Sequence, residues 1–274
     1  MRLKEITCKS ILTKSKLSNY SLNCYVGCAH NCVYCYARYM QKFKPHKESW
    51  GQFIDIKINA AEVLKKEVKN KKQGEVIISS ICDGWQPIEK KYKLTRNCLK
   101  ILLENGFKIS ILTKSCLIER DFDIISSYSK AVEFGITLTT INNSLARTIE
   151  PFASLPDKRL YILEKALKLG LKTYVFCGPF LPFISDRQID FEELFCKLSK
   201  IGIQNIYIDK LNFRYGVIKS IFKFLLKYRK DLIPKYRNFI LNPKQWNEYS
   251  DSLKNRLIYV LNSYFNIFKP IFCF

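Results

Sequence analysis

Acidic residues are scarce in this chain of 274 residues, which has 24 aspartates and glutamates against 46 lysines and arginines. The resulting formal net charge of +22 points to a polyanionic partner, most simply DNA or RNA. A compositional bias toward lysine, isoleucine and asparagine would raise the lysine content without any such partner. Both interpretations stay open at this point.

Long hydrophobic runs are absent as well. The most apolar stretch, residues 257–274, is interrupted by Asn262, Ser263, Asn266, Lys269 and Pro270. It falls short of the ~20 consecutive apolar residues of a membrane-spanning helix, so we expect no membrane span. Internal repeats and low-complexity linkers are also missing. A hydrophobic content of 47% is enough for a full core, which excludes a disordered chain.

An apolar leader segment is likewise missing after residues 1–5, and we therefore expect a cytoplasmic protein. The reducing conditions of the cytoplasm disfavour disulfides. The chain has 11 cysteines, an odd number that also argues against a complete disulfide set. These cysteines are therefore expected to be thiols or metal ligands.

What the chain does contain is a run of three closely spaced cysteines, Cys28, Cys32 and Cys35, in the pattern C-x3-C-x2-C. A structural zinc ion takes four protein ligands, so zinc would need a fourth from Cys24, His30 or a distant residue. A cubane cluster has four irons, and three cysteines leave one iron open. Such an open iron is the basis of radical chemistry on S-adenosylmethionine (SAM). Cys24 is interpreted as a packing residue rather than a ligand.

This motif resembles the signature of the radical SAM superfamily, with an aromatic residue, Tyr34, just before the third cysteine. The longer run of residues 21–38 is similar to the group related to spore photoproduct lyase. Further matches follow along the chain, so that the resemblance covers roughly residues 8–214: Asp83 with residues 86–89, residues 112–115, and Glu150 with Pro151.

The resemblance implies a radical SAM enzyme of lyase type. It also implies two cofactors, a 4Fe-4S cluster held by the three cysteines and SAM bound at the open iron. An external electron donor such as flavodoxin or ferredoxin would reduce the cluster. Reductive cleavage of SAM then gives a 5′-deoxyadenosyl radical that removes hydrogen from a substrate. Basic charge and group membership favour a nucleic acid, in lesion repair or nucleotide modification. Alternatives are a peptide or small-metabolite substrate, or a basic nucleic-acid-binding protein with a structural metal site.

Short apolar runs alternate with helical patterns along most of the chain. Strands are predicted near 22–25 and at 75–80, 107–113, 132–139, 172–177 and 205–209, and helices at 60–69, 94–105, 119–127, 156–169 and 191–201. This alternation is typical of an α/β fold with a parallel sheet and helices outside it. The resemblance implies a partial (βα)6 TIM-like barrel of radical SAM type.

Loops after the strands of such a barrel form its active site. Site residues are therefore expected in the cysteine loop, at 81–89, at Lys114, at 139–143 and at 177–182. The resemblance places Tyr34 beside the adenine of SAM and Lys114 on its methionyl carboxylate. Cofactor binding is also predicted for the remaining polar and glycine positions, Asp83, Thr139, Asn142 and Gly178.

Two residues of the loop at 81–89 have alternative interpretations. Spore photoproduct lyase uses a cysteine on a nearby loop as a hydrogen donor to the product radical. The resemblance makes Cys82 the candidate for that role, although a buried packing cysteine is the alternative. Trp85 is expected to be an exposed aromatic that either stacks on a base or closes the loop.

The composition changes near residue 215. Residues 1–214 are predicted to form the core domain, and residues 215–274 a basic, aromatic-rich helical extension with eleven lysines and arginines against three acidic residues. Basic and aromatic residues interleave in this extension, a pattern that suits binding of single-stranded or distorted nucleic acid. The alternative is an amphipathic cap whose apolar face packs on the core, and the two interpretations are compatible.

Overall fold

A computed structural model of the chain describes residues 1–43, 45–265 and 270–274. The strands in these ranges are β1 Arg2–Ile6, β2 Leu12–Lys14, β3 Tyr20–Leu22, β4 Tyr25–Val26, β5 Phe53–Lys57, β6 Glu75–Ile78, β7 Lys108–Thr113, β8 Val132–Leu138, β9 Lys172–Phe180, β10 Ile206–Lys210 and β11 Ile271–Phe272.

The α-helices of the same ranges alternate with the strands in the first three quarters of the chain and then follow one another. They are α1 Ala60–Glu67, α2 Glu89–Tyr92, α3 Leu94–Glu104, α4 Phe122–Ser127, α5 Asn143–Ile149, α6 Pro156–Lys168, α7 Gln188–Ile201, α8 Val217–Tyr228, α9 Ile233–Leu241 and α10 Pro243–Tyr264. Short 3-10 helices lie at Tyr36–Lys42, Cys116–Asp121, Ser129–Ala131 and Lys230–Leu232.

The chain divides into two compact units. The first comprises Met1–Asn31, His46–Thr137 and Pro151–Tyr174. The second comprises Cys32–Pro45, Leu138–Glu150 and Val175–Phe274.

The first unit is built on a mainly parallel sheet. Its order is β2-β3-β6-β7-β8, in which β3, β6, β7 and β8 run parallel and β2 pairs antiparallel at the edge. Buried β-branched side chains explain the strands: Val76 and Ile78 on β6 lie beside Ile109 and Ile111 on β7. A smaller sheet of β1, β5 and β4 completes this unit.

The second unit joins three parallel strands to a helical layer. Its strands are β9 from Val175 onward, β10 and β11. Helices α7 and α10 pack together, and α8 and α9 contribute to an apolar core whose buried members are Cys32, Tyr34, Ile149, Leu181, Ile184, Leu211, Val217, Ile221, Phe224, Leu225, Leu232 and Tyr236. The C-terminal helices are therefore part of this core.

Most of the predicted elements are confirmed. The strands predicted from residue 75 onward correspond to β6–β10, and the predicted helices correspond to α1, α3, α4, α6 and α7. The strand expected near residues 22–25 is instead two short strands, because the chain leaves β6 after Leu22 and pairs with β5 from Tyr25. The extension is helical, as expected, while a domain boundary at residue 214 stays a prediction. None of the helices in the described ranges has the length and apolar character needed to cross a membrane.

Candidate functional site

Gly27 begins the cysteine motif with a backbone conformation that other residues avoid. Its φ is +90°, and a Cβ atom at this position would lie 2.3 Å from the carbonyl oxygen of Phe53. Glycine alone lets the chain pass this close to β5 as it turns into Cys28.

The side-chain amide of Gln86, which is fully buried, fixes the backbone on both sides of Cys28. Its Oε1 accepts a hydrogen bond from the Ala29 N–H at 2.8 Å, and its Nε2 donates to the Gly27 carbonyl at 3.3 Å. The first part of the cysteine loop is therefore joined to the loop that follows β6, as expected for segments at the carboxyl end of a parallel sheet.

Asp83 connects that same loop to the end of β7. Its carboxylate accepts hydrogen bonds from the Thr113 hydroxyl at 2.8 Å and from the Lys114 N–H at 2.8 Å. It also accepts from the Trp85 N–H at 2.9 Å, and His30 Nδ1 lies 3.4 Å from Oδ2. Asp83 and Lys114 are thus brought together through the Lys114 backbone. Cofactor binding by either residue stays a prediction.

Cys82 is half-buried, and its thiol points toward the side chain of Asn23. The Sγ–Oδ1 distance is 3.7 Å, and the same Oδ1 accepts the Ile81 N–H at 3.1 Å. Burial, assisted by the negative charge of Asp83, raises the pKa of the Cys82 thiol to about 12. Cys82 is therefore a protonated thiol at neutral pH, held in one orientation and partly open to its surroundings.

Trp85 is not an exposed aromatic, and that expectation is wrong. Its side chain is fully buried, and its Nε1 donates to Asp121 Oδ2 at 2.7 Å. Asp121 is also fully buried and binds Arg96 Nη1 at 2.8 Å and Arg120 Nε at 2.6 Å. Trp85 thus closes the loop by packing inside the first unit, where its N–H donates a hydrogen bond to the Asp121 carboxylate.

Glu89 holds the far end of this loop. It is fully buried, accepts from the hydroxyl of Tyr25, and accepts the backbone N–H groups of Thr95 and Arg96, each at 3.1 Å. Arg120 Nη2 donates to it at 3.1 Å. Burial nevertheless raises the pKa of the Glu89 carboxyl, since desolvation outweighs these hydrogen bonds.

Three of the predicted SAM-binding residues meet in the second unit, around the buried carboxylate of Glu150. The Tyr34 hydroxyl donates to Glu150 Oε1, and Thr139 Oγ1 lies 3.0 Å from the Tyr34 hydroxyl and 3.3 Å from Glu150 Oε1. Thr139 Oγ1 also donates to the Gly178 carbonyl at 3.0 Å. Tyr34 and Thr139 are 105 residues apart in the sequence. The fold places them in one hydrogen-bonded group with Gly178.

Two backbone contacts hold the later part of the motif. The Val33 N–H donates to the Ile149 carbonyl at 2.9 Å. The Arg38 guanidinium donates to the Cys32 carbonyl from Nη2 at 2.9 Å and from Nε at 3.3 Å. Because Cys32 and Tyr34 are also buried in the apolar core of the second unit, this part of the backbone is held by contacts that do not involve the thiols.

Gly178 lies against β10 in a conformation that favours glycine. Its φ is +134°, and a Cβ atom here would lie 2.4 Å from the carbonyl oxygen of Asp209. Burial raises the pKa of the Asp209 carboxyl to about 6. Asn142, by contrast, serves as the N-cap of α5, where its Oδ1 accepts the Leu145 N–H at 2.9 Å. Cofactor binding by Asn142 stays a prediction.

The motif cysteines fall on both sides of the division of the chain, Cys28 in the first unit and Cys32 and Cys35 in the second. None of the eleven cysteines, all of which lie in the described residues, forms a disulfide. Within the described ranges, no group of three or more His, Cys, Asp or Glu residues is gathered closely enough to hold a metal ion. The chemistry of the donor set fits an iron–sulfur cluster, since residues 27–38 offer three thiols and no carboxylate. Cluster ligation by these three residues stays a prediction.

The sequence interpretation missed several polar residues that organise the loops. Glu150 had a signal, because the pair Glu150-Pro151 was one of the matches of the resemblance. Asn23 lies in the matching run before the motif, but nothing in the sequence connects it with Cys82. Asp121, Arg96 and Arg120 had no signal, because charged residues in helical segments look like ordinary surface residues.

Comparison with known proteins finds a family and a relative that are similar to most of the chain. The family model described as the radical SAM superfamily matches residues 22–195. A relative from Methanocaldococcus jannaschii, the uncharacterized protein MJ0683, is 32% identical over 246 residues, which are 89% of this chain and 88% of the relative.

Solved structures of spore photoproduct lyase share the fold. The enzyme complexed with dinucleoside spore photoproduct superimposes with a TM-score of 0.71 at 14% identity, over 99% of this chain and 82% of that one. A mutant with bound AdoMet and dinucleoside spore photoproduct gives a TM-score of 0.70 at 16% identity, over the same shares.

Proposed function

The chain belongs to the radical SAM superfamily, and from that membership we propose that it removes a hydrogen atom from a nucleic acid, in repair of a lesion or modification of a nucleotide. It is a radical SAM enzyme, and the cofactors of this superfamily are a 4Fe-4S cluster and SAM. Reduced cluster and bound SAM together supply a 5′-deoxyadenosyl radical, which takes hydrogen from carbon. The protein must bind and orient these partners and keep the radical from reacting elsewhere.

Cys28, Cys32 and Cys35 are the proposed cluster ligands. Their backbone is held by contacts that do not involve the thiols: Gln86 fixes both sides of Cys28, and Arg38 holds the Cys32 carbonyl. A loop prepared in this way loses less freedom when the thiols bind iron.

SAM binding is proposed for Tyr34, Thr139, Asn142 and Gly178 in the second unit and for Asp83 and Lys114 in the first. The enzyme assignment is carried by the match of the radical SAM family model to residues 22–195, and the observation that supports SAM binding is the hydrogen-bonded group of Tyr34, Thr139 and Gly178 around Glu150. These residues were assigned to SAM from the sequence alone, and their meeting supports a common task. Lys114 would pair with the methionyl carboxylate through a charge-assisted hydrogen bond.

Cys82 is the proposed hydrogen donor to the substrate radical. Hydrogen-atom donation needs an intact S–H bond, and a thiol with a pKa of about 12 keeps its proton at neutral pH. In the step, the S–H bond breaks homolytically, the hydrogen goes to the substrate carbon, and the unpaired electron stays on sulfur. One electron from the external donor and one proton then restore the thiol.

Two observations support a nucleic-acid substrate. The net charge of +22 favours a polyanion. The structural neighbour spore photoproduct lyase is complexed with a dinucleoside. Neither a peptide nor a small metabolite would account for the charge.

Anaerobic reconstitution with iron and sulfide, followed by reduction and incubation with SAM, tests this function. We expect about four irons per chain and formation of 5′-deoxyadenosine, which should increase when single-stranded DNA, ultraviolet-irradiated DNA or RNA is added. Bound zinc with intact SAM would contradict the enzyme assignment. Turnover that no DNA or RNA increases, but that a peptide or metabolite fraction does, would contradict the proposed substrate.

Replacing Cys82 with alanine should separate SAM cleavage from product formation. We expect 5′-deoxyadenosine to form at a rate within about twofold of the wild type, while hydrogen return to the oligonucleotide falls at least about tenfold. The measurement is deuterium transfer into the oligonucleotide in D2O, because the thiol exchanges with solvent. Since the thiol deprotonates only as the pH approaches 12, transfer by the wild type should not fall between about pH 7 and 9.5.

The matched control is Cys116→Ala, which removes another partly buried thiol of raised pKa in the first unit. Undiminished deuterium transfer in Cys82→Ala, or an equal loss in both variants, would remove Cys82 from the reaction.

A further inference from the structure

Helix α8 carries a row of exposed lysines. Lys219, Lys223 and Lys227, called here the lysine stripe, are spaced four residues apart and therefore lie on one helix face. All three are exposed, and the α8 sequence contains no acidic residue. Their positive charges thus lie side by side on the surface of the second unit.

No described residue neutralises the stripe. Among the described parts of the chain, none of the three lysines forms an ion pair, although lysines elsewhere pair with glutamates, as Lys165 does with Glu119. Like charges four residues apart destabilise a helix. A bound polyanion would remove this repulsion and would release counterions as it binds.

Exposed aromatic residues flank the stripe at both ends of the helix. Tyr215, just before α8, is 63% exposed, and Tyr228, its last residue, is 47% exposed. Lys227 Nζ lies 4.8 Å from the centre of the Tyr228 ring, which places a cation and a stacking surface together. Bases of a single strand stack on such rings while lysines neutralise its phosphates.

The opposite face of α8 is not available to a membrane. Val217, Ile221, Phe224 and Leu225 are buried in the apolar core of the second unit. A basic amphipathic helix binds a lipid surface by inserting its apolar face, and here that face is already covered. The exposed face therefore carries the three lysines and Tyr228, with Leu226 as an exposed apolar residue beside them, and this mainly charged surface fits a nucleic acid better than a bilayer.

The same buried face packs into the core that contains Cys32 and Tyr34 of the cysteine motif. At the N-cap of α8, a Cβ atom on Gly216 would lie 3.0 Å from the Cβ of Arg38, the residue that holds the Cys32 carbonyl. A nucleic acid strand bound along the lysine stripe would therefore lie on the exposed face of α8, and the buried face of α8 packs into the core that contains part of the cysteine motif.

We propose that the exposed face of α8 is the docking surface for a single-stranded nucleic acid. Lys219 and Lys227 lie eight residues apart, about 12 Å along the helix axis, so the three lysines can contact successive phosphates of one strand. The identification of this strand as the substrate rests on the function proposed above, while binding itself does not.

Fluorescence anisotropy with a labelled 12-nucleotide single strand, titrated into the reconstituted full-length protein at several salt concentrations, tests the proposal. The variant carries Lys219→Gln, Lys223→Gln and Lys227→Gln, because glutamine removes charge and keeps helix propensity. We expect binding at least about tenfold weaker at 0.1 M salt and a salt slope that falls by about 2, at roughly 0.7 per lost phosphate contact.

The control variant removes three exposed lysines from the first unit, by Lys65→Gln, Lys66→Gln and Lys69→Gln. It changes the net charge equally and should keep the salt slope of the wild type. Equal losses in the two triple variants would overturn the proposal, because net charge alone would then explain binding. Absence of binding by the wild type would also overturn it, as would stripe-dependent binding to phosphatidylserine vesicles but not to the oligonucleotide.

The formation of 5′-deoxyadenosine from SAM without any nucleic acid is measured on the same preparations. We expect all three proteins to retain it, because the exposed lysines do not contact the motif. If the wild type forms no 5′-deoxyadenosine, the enzyme assignment is contradicted and the anisotropy result is unaffected. Failure of the enzyme assignment can therefore be distinguished from failure of the proposed docking surface.

Discussion

Replacing Cys32 with alanine should abolish both cluster assembly and SAM cleavage. Two remaining thiols cannot hold a cubane with one open iron. The Cys32 carbonyl would still accept from Arg38, and the side chain loses one sulfur atom in a buried position, so the fold should persist. After anaerobic reconstitution we expect iron to fall from about four per chain to less than about one, with no detectable 5′-deoxyadenosine.

The informative control is Cys24→Ala. Cys24 is fully buried four residues before the motif, and its Sγ lies 3.7 Å from that of Cys98, so its thiol already has a packing partner. This variant should assemble the cluster and cleave SAM. A Cys32→Ala protein that still yields 5′-deoxyadenosine would refute the proposed ligand set, and metal loss in Cys24→Ala would favour a four-cysteine zinc site.

Replacing Asp121 with alanine should cost about 1–3 kcal/mol of the free energy of unfolding, the range for leaving a buried hydrogen-bond donor without its acceptor. Its fully buried carboxylate binds Arg96, Arg120 and the Trp85 N–H. Without it, the indole N–H of Trp85 loses its partner, and Arg96 and Arg120 each lose one of two carboxylates, since Asp123 and Glu89 remain. We also expect the loop at residues 83–89 to lose order, because Trp85 would no longer be fixed.

Urea denaturation of Asp121→Ala measures this loss, and Asp123→Ala is its matched control. Asp123 binds the same Arg96 at 2.6 Å, but its side chain is 59% exposed. Exposed ion pairs contribute roughly 0–1 kcal/mol, so the control should change stability little. Similar losses of unfolding free energy in both variants would show that burial of Asp121 does not increase its contribution to stability.

The regular elements were predictable because their signals are local. Strands β6 to β10 are short β-branched runs, and three of the helices between them, α3, α6 and α7, end near glycines. The cysteine motif was equally clear, because its spacing lies within eight residues. Strand β1 was not predicted, since Arg2, Lys4 and Glu5 give it no apolar pattern and it forms only by pairing with β5.

The organisation of the loops was less predictable, because it depends on burial. Trp85 looked like a surface aromatic next to Gly84, and its burial depends on Asp121, which is 36 residues away. The role of Asn23 beside Cys82 likewise depends on a contact across 59 residues. A sequence shows that such groups are polar, but only the fold shows which of them have partners.

The protonated state of Cys82 affects how this residue tolerates air and thiol-modifying reagents. Alkylating reagents and peroxides attack thiolates rather than thiols. With a pKa of about 12, Cys82 is almost entirely un-ionised at pH 7. Air that destroys an iron–sulfur centre would therefore leave this sulfur chemically intact. Cys82 should therefore still be a thiol in an aged preparation that has lost its cluster.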